Sequence, residues 1–277
     1  MKKLKALSYP YVIWIAIMIL VPMLLIVFYA FTEKGNDVTV IRFTFENFVR
    51  FVTDKVFLEV LARSLYIAVL TTAVCLLVGY PTAYIISRLG DRGNIIMVLL
   101  ITIPTLVNML VRTYAWRSIL GEGGIISSAL ALVGIKGVGL TETTFAVVLG
   151  MVYNFLPFMI LQINTSLSKM DKSYIEAAND LGASNVKAFM KITFPLSLPG
   201  VISGITLVFL PSVSSFFIPS LLGGRDFVLL GNLIETQFTK GSWNFGSAIS
   251  LVMAVIILIS MFLTKKLDKD PESAGKE

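Results

Sequence analysis

The chain contains no histidine and a single cysteine, Cys75, which lies inside an apolar run. Disulfides within one chain, paired-thiol redox chemistry and Cys/His zinc sites are thereby excluded. The missing histidine also removes serine–histidine dyads and H-E-x-x-H metal sites. No G-x-x-x-x-G-K-[ST] occurs either, so the chain has no P-loop to hold ATP. Charge is scarce: 14% of the 277 residues are Asp, Glu, Lys or Arg, against about 25% in a soluble domain. The chain is 56% hydrophobic with a mean hydropathy of +0.84, the composition of an integral membrane protein. Its net charge of +6 rests on lysines and arginines between or beside the apolar runs. There they set orientation in lipid rather than bind nucleic acid.

What is present is a series of apolar runs near the ~20 residues that a membrane helix needs. Six spans are expected, at about 11–31, 61–86, 95–111, 145–167, 198–222 and 248–264, making residues 1–277 one all-α transmembrane domain. The basic start, Met1 to Lys5, resembles a signal peptide, but the following run is long and no A-x-A pattern ends it. Residues 32–60 interleave Phe43, Phe45, Phe48, Phe51 and Val52 with polar residues, the pattern of a short amphipathic helix in the outer interface. The third span ends at Arg112-Thr113-Tyr114-Ala115-Trp116-Arg117, an aromatic and basic cluster expected in a headgroup belt. Leu89-Gly90-Asp91-Arg92-Gly93 shares part of a loop pattern of major-facilitator carriers, but the downstream glycine and arginines are missing, and it reads as a polar turn. Lysine and arginine are in excess on the side of the termini, which places both termini in the cytoplasm. No Asp, Glu or His falls inside the six expected spans. Gradient-driven carriers usually place such groups at mid-membrane depth, so any uphill transport here draws its energy from a partner.

The stretch from about 168 to 196 lacks a membrane-length apolar run and lies between two that have one. Met170, Tyr174, Ala177, Ala178 and Leu181 form one apolar stripe at helical spacing. Ser173 and Glu176 have the spacing of a capping box. Gly182 then permits a sharp bend, and a second short helix, about Ser184 to Ile192, is expected to stop at Phe194-Pro195. The small residues Ala177 and Ala178 would let another protein approach closely.

Glu176-Ala177-Ala178, Gly182, Ile192 and Phe194-Pro195 resemble the EAA loop of ABC-importer permeases, E-A-A-x3-G-x9-I-x-L-P, with Phe194 in place of leucine. The resemblance implies the MetI-like permease fold and a cytoplasmic coupling helix that docks on an ATPase, through Glu176, Ala177, Ala178, Gly182, Ile192 and Pro195. Further segments are similar to polyamine importer permeases of the PotB type from about residue 40 onward. They are Gly79-Tyr80-Pro81-Thr82-Ala83, Leu110 to Trp116, Pro157-Phe158, Asp180 to Ser184, Pro219 to Gly224, Gly231-Asn232 and Gln237-Phe238. One departure is Ser214, where that group often has glycine. The implied partners are a second, PotC-like permease, two copies of a PotA-like ATPase that bind ATP and Mg, and an external PotD-like polyamine-binding protein. No cofactor and no catalytic residue is expected in this chain.

Polyamines are extended cations, so their path should offer ring faces and oxygen acceptors. Tyr153, Asn154, Ser212, Ser214, Ser215, Phe216 and Phe217 supply these. The same serines and phenylalanines also suit helix contacts and lipid. Glu122, Glu142, Asp226 and Glu235 are the outer carboxylates. Other readings stay open: an importer of iron, sulfate or another oxyanion, a gradient-driven carrier, or a structural membrane subunit.

Overall fold

The computed structural model describes residues 2–33, 42–132, 139–171, 173–224 and 227–267. The described residues are helical almost throughout. Helices α1 (Lys2–Ala30), α2 (Glu46–Thr53) and α3 (Lys55–Ser87) are followed by α4 (Asp91–Leu106), α5 (Met109–Leu120), α6 (Ile125–Leu132) and α7 (Thr144–Ser168). Then come α8 (Ser173–Asp180), α9 (Asn185–Ala188), a π-helical turn (Phe189–Thr193), α10 (Phe194–Ser214), α11 (Phe217–Leu222), α12 (Leu230–Thr239) and α13 (Trp243–Leu267). Five of the described helices are long and apolar enough to cross a membrane, and a sixth span is counted if the bent pair Asp91–Leu106 and Met109–Ala129 is one crossing.

The core is the packing of α7 against α3 and α10. It works because small residues stand at the crossings, as expected where lipid supplies no hydrophobic drive between helices. A Cβ on Gly200 would lie 2.5 Å from the Ser166 Cβ and 2.8 Å from the Gln162 carbonyl oxygen. One on Gly204 would meet the Met159 sulfur at 2.7 Å. Met159, Ile163 and Val208 are buried at this seam. By contrast α1 packs chiefly on α13, and α4 has no buried residue; both leave broad apolar faces for lipid or other chains.

Several elements differ from the reading of the sequence. The helix around the second expected span begins at Lys55 and has 33 residues, about 50 Å at 1.5 Å per residue. That exceeds a ~30 Å hydrocarbon core, so its first turns, with Glu59, can extend beyond the core. The third span does not run to Val111: α4 stops at Leu106, and the chain restarts in α5 at an angle of 88°. Asn108 makes this possible by capping the new helix, its side chain accepting from the Leu110 N–H at 2.8 Å. The fifth span does not reach Leu222, since α10 ends at Ser214 and Ser215 is extended (ψ 133°). Pro219 accounts for the stop, because in a continuous helix its ring would collide with the carbonyl of Ser215.

The second core cluster was not visible as such. It joins Phe51 of α2, Phe57 and Val60 of α3, Leu230 and Leu233 of α12, and Phe245 and Ile249 of α13. The amphipathic helix expected in 32–60 is α2, with Phe51 buried and Val49 and Val52 exposed. Arg50 sits 4.5 Å above the Phe245 ring, a cation–π contact that ties α2 to α13.

Candidate functional site

The segment that resembles the EAA loop folds as two short helices joined by a tight corner. At the start of α8 the bond present is not the expected Ser173–Glu176 box. Asp171 accepts from the Ser173 N–H at 2.9 Å, and this bond holds the exposed Asp171 carboxyl below its usual range. At the other end Gly182 has φ +78°. Its N–H bonds the Asn179 carbonyl at 2.9 Å, and the Ala183 N–H bonds the Ala178 carbonyl at 2.9 Å. This is a Schellman ending, which requires a left-handed residue at the position Gly182 occupies. Ser184 then caps α9, accepting from the Lys187 N–H at 3.4 Å.

The expected apolar stripe divides. Ala178 is buried and Met170 packs on the main core, whereas Tyr174, Ala177 and Leu181 are exposed. With Val186 and Met190 they give the corner an exposed apolar side; Leu181 is 89% exposed. Glu176 is exposed on the same short helix, Ile192 is half-buried and Pro195 is exposed. Of the two alanines, then, only Ala177 is available to another protein.

Pro195 does not end the second helix as expected. Residues Asn185–Ser214 run on as one apolar length, through the π-turn that immediately precedes the proline. There the Phe194 N–H bonds the Phe189 carbonyl, five residues back. A wider turn moves the Lys191 carbonyl away from the place where the Pro195 ring would strike it.

The expected pathway residues do not form one group. Tyr153 on α7 lies edge-on to Trp116, with ring centres 5.4 Å apart, and the Arg112 guanidinium carbon is 5.9 Å from its ring centre. Its π face is therefore already beside a cation. The Asn154 amide donates to the Gly150 carbonyl at 2.8 Å. Ser212 and Ser214 bond back to carbonyls one turn earlier, at 2.6 and 3.2 Å. Among the described residues, Asn154 Oδ1, Ser215 Oγ and Arg112 Nε and Nη1 are buried without a hydrogen-bond partner. Phe216 and Phe217 stand at the α10–α11 break with ring centres 4.1 Å apart, and Phe217 is 38% exposed.

One residue that holds this break was quoted from the sequence only as a family feature. Asn232 of α12 donates to the Phe216 carbonyl at 2.8 Å and to Ser220 Oγ at 2.6 Å, and accepts from the Leu229 N–H at 3.2 Å. Beside it, a Cβ on Gly231 would fall 2.6 Å from the Ser214 carbonyl oxygen. Helix α12 can thus lie directly against the carbonyls that the broken helix leaves open. Of the outer carboxylates, Glu122, Glu142 and Glu235 lie on different elements, and Asp226 falls outside the described residues. Glu142 has φ 64°, the one positive value among the described non-glycine residues, and its N–H bonds the Leu222 carbonyl at 2.7 Å.

Residues 75–272 match the family described as the inner membrane component of binding-protein-dependent transport systems. The chain belongs to this family. It is therefore a multi-pass inner-membrane permease subunit of an ABC importer, not itself an enzyme, which works with an ATPase and a periplasmic binding protein. Two relatives are spermidine/putrescine transport system permeases PotB. That of Haemophilus influenzae is 34% identical over 260 residues, covering 92% of this chain and 91% of the relative. That of Escherichia coli is 34% identical over 268 residues, covering 94% and 97%. A chain of a bacterial ABC transporter that imports the acidic polysaccharide alginate superposes with a TM-score of 0.78 over 96% of both chains at 16% identity. That likeness concerns the fold alone: this permease has the helical arrangement of an ABC-importer subunit.

Proposed function

We propose that this permease forms one half of a polyamine pathway, with a second, PotC-like permease completing it. Two copies of a PotA-like ATPase would drive it, and a PotD-like protein would deliver spermidine or putrescine from outside. The observation that carries the substrate class is the identity to spermidine/putrescine permeases over nearly the whole length of both chains. Fold alone does not choose a cargo, since the same arrangement occurs in an alginate importer. Co-purifying the assembled importer and identifying the molecule on its binding protein tests the assignment. Spermidine or putrescine is expected, and an oxyanion or a chelated metal there would overturn it.

In this reading Glu176, Ala177, Ala178, Gly182, Ile192 and Pro195 form the coupling element. The exposed apolar residues Tyr174 and Ala177 of α8 and Leu181 at its end support it, because α8 has only eight residues and is too short to cross a membrane. The cation path would use acceptors that the helices leave open, Asn154 Oδ1 and Ser215 Oγ, and the ring faces of Phe216 and Phe217. Tyr153 is a weaker contact, because Arg112 already stands beside it.

The reading also sets the orientation: both termini and the coupling element are cytoplasmic. With the buried Cys75 changed to Ser, a cysteine at Lys187 should be labelled only from the cytoplasmic side and one at Lys240 only from outside. Both positions are exposed. The reverse labelling would separate the coupling element from ATP and end the proposal.

A further inference from the structure

The coupling corner touches little of the protein. Helix α8 packs chiefly on α9 and the π-turn, so movement of the corner reaches the spans mainly through that turn. Phe189 opens the turn, and two tyrosines of α3, one helical turn apart, meet its ring. Tyr84 does so edge-on at 5.4 Å between centres, and Tyr80 at 5.9 Å with an 88° angle. Tyr80 also lies 5.8 Å from the Phe194 ring, on the far side of the turn. Its hydroxyl is 2.8 Å from Ser197 Oγ. Ser197 is buried and gives its own proton to the Phe194 carbonyl at 2.8 Å, so Tyr80 is the donor of that pair. Edge-to-face rings resist sliding because each has a preferred geometry. Beneath the joint lies a small cavity of ≈ 60 Å³ lined by Tyr84, Arg88, Ile175 of α8 and Thr193 of the turn, among others. The corner thus has room to shift against the spans at the place where the rings link them.

We infer that the Phe189–Tyr80–Tyr84 cluster is the joint that passes movement of the coupling corner to α3, with Phe189 as the positioning residue. The inference rests on the coupling reading above. A π-turn suits this role, since its widened hydrogen bonding lets the helix turn locally while the rings keep α3 engaged. The rings are not part of the exposed side that would meet the ATPase, so loss of the joint should uncouple transport without undocking the partner.

The test uses the full importer in proteoliposomes, with spermidine as the probe and ATP hydrolysis measured alongside uptake. Phe189→Leu should leave the ATPase bound and hydrolysing, and uptake per ATP should fall at least about fivefold. Phe189→Tyr, which keeps the ring, should restore most of it. Tyr80→Leu should reproduce the loss from the other side of the joint. The double variant should be little worse than either single one, the signature of two residues acting as one contact. An unchanged uptake per ATP in both Leu variants would overturn the joint, as would additive losses. Release of the ATPase by Phe189→Leu would overturn it too, since the residue would then be shaping the docking surface. Failure of the coupling reading shows separately, as normal uptake when Gly182 is replaced.

Discussion

Replacing Gly182 with valine is expected to leave the permease in the membrane and abolish ATP-driven uptake. The reason is conformational, not steric. Nothing lies within 4 Å of a Cβ placed on Gly182, so the side chain itself meets no obstacle. The backbone, however, stands at φ +78°, where an ordinary L-residue costs about 1–2 kcal/mol and a β-branched one is a greater outlier. Each 1.4 kcal/mol is tenfold in an equilibrium, so the Schellman corner would lose its hold by an order of magnitude or more. Two short helices with little packing cannot absorb such a loss, whereas the long spans do not depend on it. Protein amount in the membrane should therefore be unchanged while spermidine uptake by the reconstituted importer disappears. Asparagine tolerates the left-handed region, and Gly182→Asn should retain a substantial part of the activity. Uptake at the parent rate by Gly182→Val would remove the corner from the coupling mechanism.

That corner was legible because its signals are local. A glycine at a fixed distance after a short amphipathic run, followed by serine, specifies the bend and the next cap within a dozen residues. The same holds for most spans, whose apolar length is read from the chain directly. The breaks were not legible, for a physical reason. A hydropathy window near 19 residues averages across Val107-Asn108 and across Ser215-Phe216, and neither pair is polar enough to lower the mean. Asn108 is a helix start only because a cap there can redirect the chain, and Pro219 breaks α10 four residues upstream of itself. At Pro195 the opposite occurred, as the π-turn let the helix pass a proline expected to end it. The same residue type thus gave different outcomes, since Pro199 and Pro211 also lie inside α10 without ending it. Helix α12 was hidden because its anchors are distant in sequence: the Leu230 N–H bonds Ser64 Oγ at 2.7 Å across 166 residues. The Phe189–Tyr80 contact is of the same kind. Even the apolar stripe of α8 was assigned to one face, whereas Ala178 is buried and Tyr174, Ala177 and Leu181 are exposed.

The break at Ser215-Phe216 leads to a result that concerns the passage of the cation itself. Exchange of both Phe216 and Phe217 for leucine should lower spermidine uptake by about two- to thirtyfold, the range that follows from ~0.5–2 kcal/mol for one cation–ring contact. Leucine keeps most of the bulk and hydrophobicity and removes the π face, so packing at the break should persist. The local scaffold does not depend on the rings, because Asn232 holds the Phe216 carbonyl and Ser220 through backbone and hydroxyl. With the two rings 4.1 Å apart, either can cover for its neighbour, and the single variants should each lose less than the double one. The more exposed Phe217 should contribute the larger share. Assembly with the partner permease, ATP hydrolysis and binding-protein docking should all remain. A buried Ser215 hydroxyl without a hydrogen-bond partner beside an interrupted helix suits a segment that faces protein or a water-filled cavity rather than lipid, which is why a cation is expected to pass here. If the double variant imports spermidine at the parent rate, the rings are not the contact. The passing ammonium groups must then be met by oxygen alone, and Asn154→Leu and Ser215→Ala become the substitutions that lower uptake.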